Sequence, residues 1–213
     1  MIDSHSPSPG PGRPKDPAKR EAILAAAQVL FLAKGYEGSS MDAIASEAGV
    51  SKLTLYSHFK DKEALFCAAV KATCETRLPR RLFQLADDCR IEAVLLAIGL
   101  AFNALVNSPE SIGLHRVMVG MATQNPALVR MFFDAGPQQL LSDLQRMFAE
   151  VDARGLLTIA EPLRAAEHFC SLIKGARHFR LLIGYVEATD ADAGSDEAHV
   201  RDVVATFLRA YGR

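Results

Sequence analysis

Residues 40–59 constrain the chain more than any other stretch. Ser40 is a favourable N-cap, and Asp42 sits in the first turn, where a helix dipole favours negative charge. Met41, Ile44, Ala45 and Ala48 then recur at helical spacing. Gly49 follows, the residue type that most readily takes φ > 0 and ends a helix. Ser51 caps a second helix almost at once, so two short helices share a turn of about three residues. In the second helix Leu55 and Phe59, four apart, face the first. Lys52, Leu53, Tyr56 and Ser57 fall on the opposite side, with Thr54 and His58 at its borders. Hydroxyl, ammonium and imidazolium tips of this kind donate to phosphate oxygens and, in part, to base edges. Two turns, about 10 Å, suit insertion into a groove.

These residues carry a family resemblance. The run GYEGSSMDAIASEAGVSKLTLYSHFKDKEALF (35–66), with ILAAAQVLFLAKGY (23–36) before it, resembles the DNA-binding domain of TetR-type transcriptional regulators. The motifs G-[FY]-x-G-[ST]-[ST], A-x-x-A-G-V-S-K-x-T-[LV]-Y-x-H-F and K-x-[AE]-L occur in order. The resemblance covers about residues 17–76 and implies that the helix 51–58 enters the major groove. It further implies phosphate contacts from Ser40, Thr54, Tyr56, His58 and Lys62. Leu53 departs from the Gly, Ala or Pro found in many members; a leucine there can touch a thymine methyl, which would alter base preference.

Charge gives less guidance. The formal net charge is −1, unusual for a nucleic-acid binder. Residues 1–62 hold eight Lys or Arg against seven Asp or Glu, and within 13–20 four basic residues face Asp16 alone. Residues 1–16, rich in Pro, Gly and Ser, read as a disordered tail. Arg13 and Lys15 at its end either reach an adjacent minor groove or are simply solvated. No run of 18 apolar residues exists and the N-terminus lacks the apolar stretch of a signal peptide, so a cytoplasmic protein without a membrane span is expected. Four cysteines, Cys67, Cys74, Cys89 and Cys170, form no CxxC pair. Cys67 and Cys74 share a helix face, as buried thiols or as a redox-sensing pair.

The remainder reads as helix throughout, without strand patterning. The first helix opens near Asp16–Pro17 with Ile23, Ala27, Leu30 and Phe31 as its apolar stripe and ends at Gly35; Tyr36 and Phe59 close its small core. Asp61 caps a long helix ending near Leu78, before Pro79. It starts beside Lys62 and leads into the second domain, which makes it a lever between the two. Ser108-Pro109, Asn125-Pro126 and Glu161-Pro162 open further helices, and Gly136-Pro137 kinks or breaks one. The helix from Pro162 is expected to reach about Val186, residues 189–195 to form a polar loop, and Ser195 to cap the last helix.

The expected fold is all-α: a tail (1–16), an N-terminal three-helix helix-turn-helix domain (17–77), and a C-terminal helical ligand-binding and dimerisation domain (78–213). The last helix carries Val200, Val203, Val204, Phe207, Leu208 and Tyr211 as one stripe. The helix before it is apolar on more than one face, with Gly175 allowing close backbone approach. Either a monomeric core or a two-fold four-helix interface covers these faces. The resemblance implies the interface, hence a homodimer through the last two helices. Residues 83–184 faintly resemble the regulatory domain of the AefR-like branch.

Phe102, Val106, His115, Met118, Phe132, Phe148, Phe169 and Arg177 are candidates for a pocket taking a small lipophilic effector, although apolar helix-borne residues equally build a core. Asn103, Gln124, His168 and His178 are further polar pointers. His168 and His178, ten apart, are poorly spaced for a shared metal, and no metal or cofactor is expected. No nucleophile–base pair, paired acids or phosphate loop speaks for an enzyme. The reading is a sequence-specific DNA-binding regulator, a ligand-responsive repressor on a palindromic operator; the alternatives are an activator or a helical small-molecule-binding protein.

Overall fold

Side-chain caps and prolines set where the helices begin. Asp16, Ser40, Ser51, Asp61, Ser108 and Asn125 each accept a backbone N–H of the turn they open, at 2.8–3.2 Å. Each such cap contributes about 1 kcal/mol. The computed structural model describes residues 16–186 and 193–212. In order these form α1 (Pro17–Lys34), α2 (Met41–Glu47), α3 (Lys52–His58), α4 (Lys62–Arg77), α5 (Ile91–Val106), α6 (Pro109–Met121), α7 (Pro126–Ala135), α8 (Pro137–Ala153), α9 (Pro162–Leu182) and α10 (Ala193–Tyr211). A 3-10 turn, Arg80–Phe83, links α4 to α5. Every regular element among the described residues is helical. Arg13 and Lys15 lie outside them, as does most of the 189–195 loop.

Two cores share the work. The first joins α1–α4 through Ile23, Ala27, Leu30, Phe31, Leu55, Phe59, Leu65 and Phe66, and it also takes Met118 from α6 and Leu128 and Phe132 from α7. Tyr36 stacks on Phe31 and meets Phe66 edge-on. The second core joins α5, α8, α9 and α10. Its centre is a ring cluster in which Phe148, Phe169 and Phe207 have centroids 5.2–6.2 Å apart. The α10 residues Val200, Val203, Val204 and Phe207 are all buried there. At Gly99 of α5 an added Cβ would stand 2.7 Å from Val200, so α5 and α10 approach closely because that position has no side chain.

Two boundaries differ from expectation. Helix α9 stops at Leu182 and not near Val186, and it is interrupted at Gly175 (φ 54°, ψ −166°), a conformation open to glycine alone. His199 of α10 lies over that break: its Nε2 donates to the Ile173 carbonyl at 3.0 Å, and an added Cβ at Gly175 would meet the imidazole at 3.1 Å. Helix α10 begins at Ala193, so Ser195 sits in its first turn and is not its cap. The Gly136-Pro137 pair separates α7 from α8 outright. Among the described residues no single helix is long and apolar enough to cross a membrane. The bent pair α5 and α6 meets only the length and composition of a span, and α5 spends Leu95, Ile98, Phe102 and Val106 on the cores.

Candidate nucleic-acid interface and adjoining cavity

The turn between α2 and α3 is built by Gly49 (φ 63°), with Gly49 N–H donating to Ser46 and Val50 N–H to Ala45. Leu55 is fully buried and Phe59 nearly so, with Arg20 of α1 5.4 Å from the Phe59 ring centroid. These anchors set the rotation of α3, and Lys52, Leu53, Tyr56 and Ser57 are left outward. Leu53 is 82% exposed, a large apolar side chain held in water.

Several polar tips on this face are already tied to the protein. Lys52 Nζ pairs with Asp42 Oδ2 at 2.5 Å, Ser57 Oγ donates to the Thr54 carbonyl, and Thr54 Oγ1 lies 2.9 Å from Ser51 Oγ. The Lys52–Asp42 pair is exposed, so a phosphate competes for the lysine at little cost. The Tyr56 hydroxyl has no protein hydrogen bond among the described residues, which leaves it to donate outward. Ser40 Oγ accepts the Ala43 N–H and retains its own proton. His58 is half-buried beside Phe59. Lys62 Nζ stands 4.2 Å over the Tyr36 ring, a cation–π contact that positions the ammonium without using up its donors. Burial, then the neighbouring Glu63, Glu37 and Asp61, push the Tyr36 phenol up to about 12, so that ring stays neutral.

Behind this unit a cavity of about 440 Å³ opens between α1 and α4 on one side and α5–α9 on the other. Phe31, Phe66, Val70, Thr73 and Cys74 line it from the first side; Phe102, Val106, Leu114, His115, Phe132, Leu140, Cys170 and Lys174 line it from the second. Gln28 is fixed by donating to Thr73 Oγ1 at 2.9 Å. The His115 ring meets Phe132 and His178 edge-on at 5.7 and 5.4 Å. His178 Nδ1 lies 3.1 Å from Asn107 Oδ1, and Asn107 Nδ2 donates to Asn103 Oδ1 at 2.9 Å. An amide oxygen only accepts, so Nδ1 of His178 carries the proton. Burial, then His178, then Lys174 lower His115 to about 4, so its imidazole is neutral at pH 7. Burial pushes the Cys74 thiol up to about 11 and the Cys170 thiol to about 12. Among the described residues no cluster of three His, Cys, Asp or Glu side chains could hold a metal ion.

Comparison with known proteins gives the arrangement its family. Residues 23–69 match the bacterial regulatory proteins of the tetR family. Residues 93–213, more than half of the chain, match the C-terminal domain of AefR-like transcriptional repressors. The chain belongs to the TetR family. A TetR-family transcriptional regulator from Mesorhizobium loti MAFF303099 superposes with a TM-score of 0.78 at 28% identity, covering 93% of this chain and 100% of that one. The flavonoid-responsive regulator FrrA does so with a TM-score of 0.67 at 29% identity, covering 91% and 96%. YdeS, an HTH-type transcriptional regulator of Bacillus subtilis (strain 168), is 41% identical over 68 residues, 32% of this chain and 34% of that protein. The match therefore spans about a third of that curated relative. Like its family, this TetR-type chain is a DNA-binding transcriptional regulator and not an enzyme.

Within this TetR-type frame the cavity differs from the one expected on the second domain alone. Phe102, Val106, His115 and Phe132 line it. Met118, Phe148, Phe169 and Arg177 do not. Met118 packs in the first core, Phe148 and Phe169 are completely buried in the ring cluster, and Arg177 Nε pairs with Asp196 Oδ1 at 2.9 Å. The α1 and α4 lining residues Gln28 and Thr73 carry no sequence signal, since each reads as ordinary packing of the first unit, and Cys74 reads only as a buried or redox-sensing thiol. His168 and His178 are engaged separately, with Tyr211 and Asn107.

Proposed function

We propose that the chain is a ligand-responsive repressor that binds a palindromic operator as a homodimer in the cytoplasm, with α3 in the major groove and an effector in the cavity. One observation carries the effector reading: the cavity is walled by α1 and α4 of the helix-turn-helix unit together with α5–α9. A molecule seated there touches both units, and it shifts the equilibrium between two separations of the α3 helices by its differential affinity for them. Helix α6 supports the same coupling. It packs on α1, and its Arg116 donates to the carbonyls of Leu181 and Leu182 at the end of α9. FrrA, by its name, responds to flavonoids, in keeping with a small lipophilic effector.

The dimer face proposed is the outward side of α9. Leu172 before the Gly175 break and Ala176, Phe179 and Ile183 at helical spacing after it are exposed, Phe179 by 61% and Ile183 by 58%. The apolar stripe of α10 is spent internally, so α10 brings Ala198, Ala205 and charged residues to the face. Dimerisation places two α3 helices one DNA turn apart, about 34–36 Å.

The test is gel retardation of duplexes selected by the protein. Tyr56→Phe removes one phosphate donor per subunit and weakens retention by about tenfold for the pair. Lys62→Ala lowers the slope of log affinity against log salt by about 2 for two copies. Unchanged affinity and slope in both variants count against this face.

A further inference from the structure

We propose that the cavity takes a lipophilic carboxylate, with its acid group held at Lys174 beside His115. This rests on the reading of the cavity as the effector site. Lys174 is half-buried on the cavity wall, one turn beyond Cys170, and has no ion-pair partner among the described residues. The acids that line the cavity are provided for otherwise. Asp143 is bound by Arg146 and Gln139, Glu75 lies 3.9 Å from Lys71, and Glu110 is exposed in the first turn of α6, where the helix dipole suits it.

The wall around Lys174 offers donors. The neutral imidazole of His115 has one N–H, and its ring nitrogens make no hydrogen bond to the described protein. The Cys170 thiol stays protonated. Lys174 is the cation that acts on His115 at neutral pH, since burial and Lys174 lower His178 as well. A cation partly withdrawn from water and without a counter-charge favours a ligand that brings one. Val70 from α4, with Phe102, Leu114 and Phe132 from the second side, supplies hydrocarbon for the rest of the ligand, which is therefore largely apolar.

Calorimetric titration of the purified full chain at pH 7.5 tests this with two matched pairs: decanoate against decan-1-ol, and 1-naphthylacetate against 1-naphthylacetamide. Each acid should bind at least about tenfold more tightly than its neutral counterpart. The ratio should fall to about one in Lys174→Met and persist in Lys174→Arg. Thermal unfolding checks both variants; if Lys174→Met does not fold, Lys174→Gln takes its place. Neutral compounds binding as tightly as the acids, a ratio that survives loss of the ammonium, or no binding of any probe would each overturn the inference. Retardation of selected DNA by the same preparations separates the two readings. Retention without the acid preference removes this inference alone, whereas no retention removes the regulator reading beneath it.

Discussion

Acid destabilises this fold through a buried imidazole, by an amount that follows from the site. His115 lies among Phe132, His178 and the cavity wall, and its environment lowers it from 6.5 to about 4, chiefly by burial, then through His178 and Lys174. The unfolded chain takes up this proton near 6.5, whereas the folded chain resists until about 4. The contribution is therefore fully present above 6.5 and is lost as the pH falls through 4. At pH 5 the linkage is worth about 2 kcal/mol, rising toward about 3 kcal/mol below pH 4. His178 is shifted in the same direction, by burial and then Lys174, so the wild-type acid limb is steeper than one group alone would give. Urea unfolding followed by far-ultraviolet circular dichroism, at one protein concentration and at pH 7.5 and 5.0, measures the difference. His115→Gln loses some packing at both values, but its stability should fall by about 2 kcal/mol less between them than that of the wild type. An identical fall in both proteins, or a His115 ring proton titrating near 6.5 by NMR, would refute the reasoning.

Two further outcomes follow from the described contacts. Phe179→Asp removes about 2 kcal/mol of apolar burial per copy from a two-fold contact, so sedimentation should show a dimer dissociation constant raised by about a thousandfold; an unchanged dimer places the interface elsewhere. Cys74 and Cys170, with thiols pushed up to about 11 and about 12 by burial, should react with an aromatic disulfide at pH 8 at least about a hundredfold more slowly than free cysteine. Rapid labelling of either in the native chain, mapped by peptide analysis, would refute this, and at Cys74 it would favour the redox-sensing reading of the Cys67 and Cys74 pair.

The parts of the fold legible in the sequence are those that local chemistry decides. Ser40, Ser51 and Asp61 cap helices within three residues of themselves, and Gly49 takes the positive φ that the turn requires. The outward face of α3 follows from Leu55 and Phe59 alone. What escaped depends on partners remote in the chain. A glycine inside a helical pattern is ordinarily tolerated, and the break at Gly175 is completed by His199, which the pattern around Gly175 does not reveal. Phe148 and Phe169 suit a pocket as well as a core, and only Phe207 from α10 decides for the core. Thr73 and Cys74 face the cavity because α7 and α8 are placed opposite α4, and nothing within α4 announces it. The polar pair Asn103 and Asn107, one helical turn apart, is buried only because His178 arrives from α9.

The central claim is tested most directly by footprinting. Duplexes retained by the purified chain from a random pool, sequenced and then protected from nuclease, should show two half-sites related by two-fold symmetry, with centres about one helical turn apart. Failure to retain any duplex at low salt, or protection of a single asymmetric site by one subunit, would contradict it.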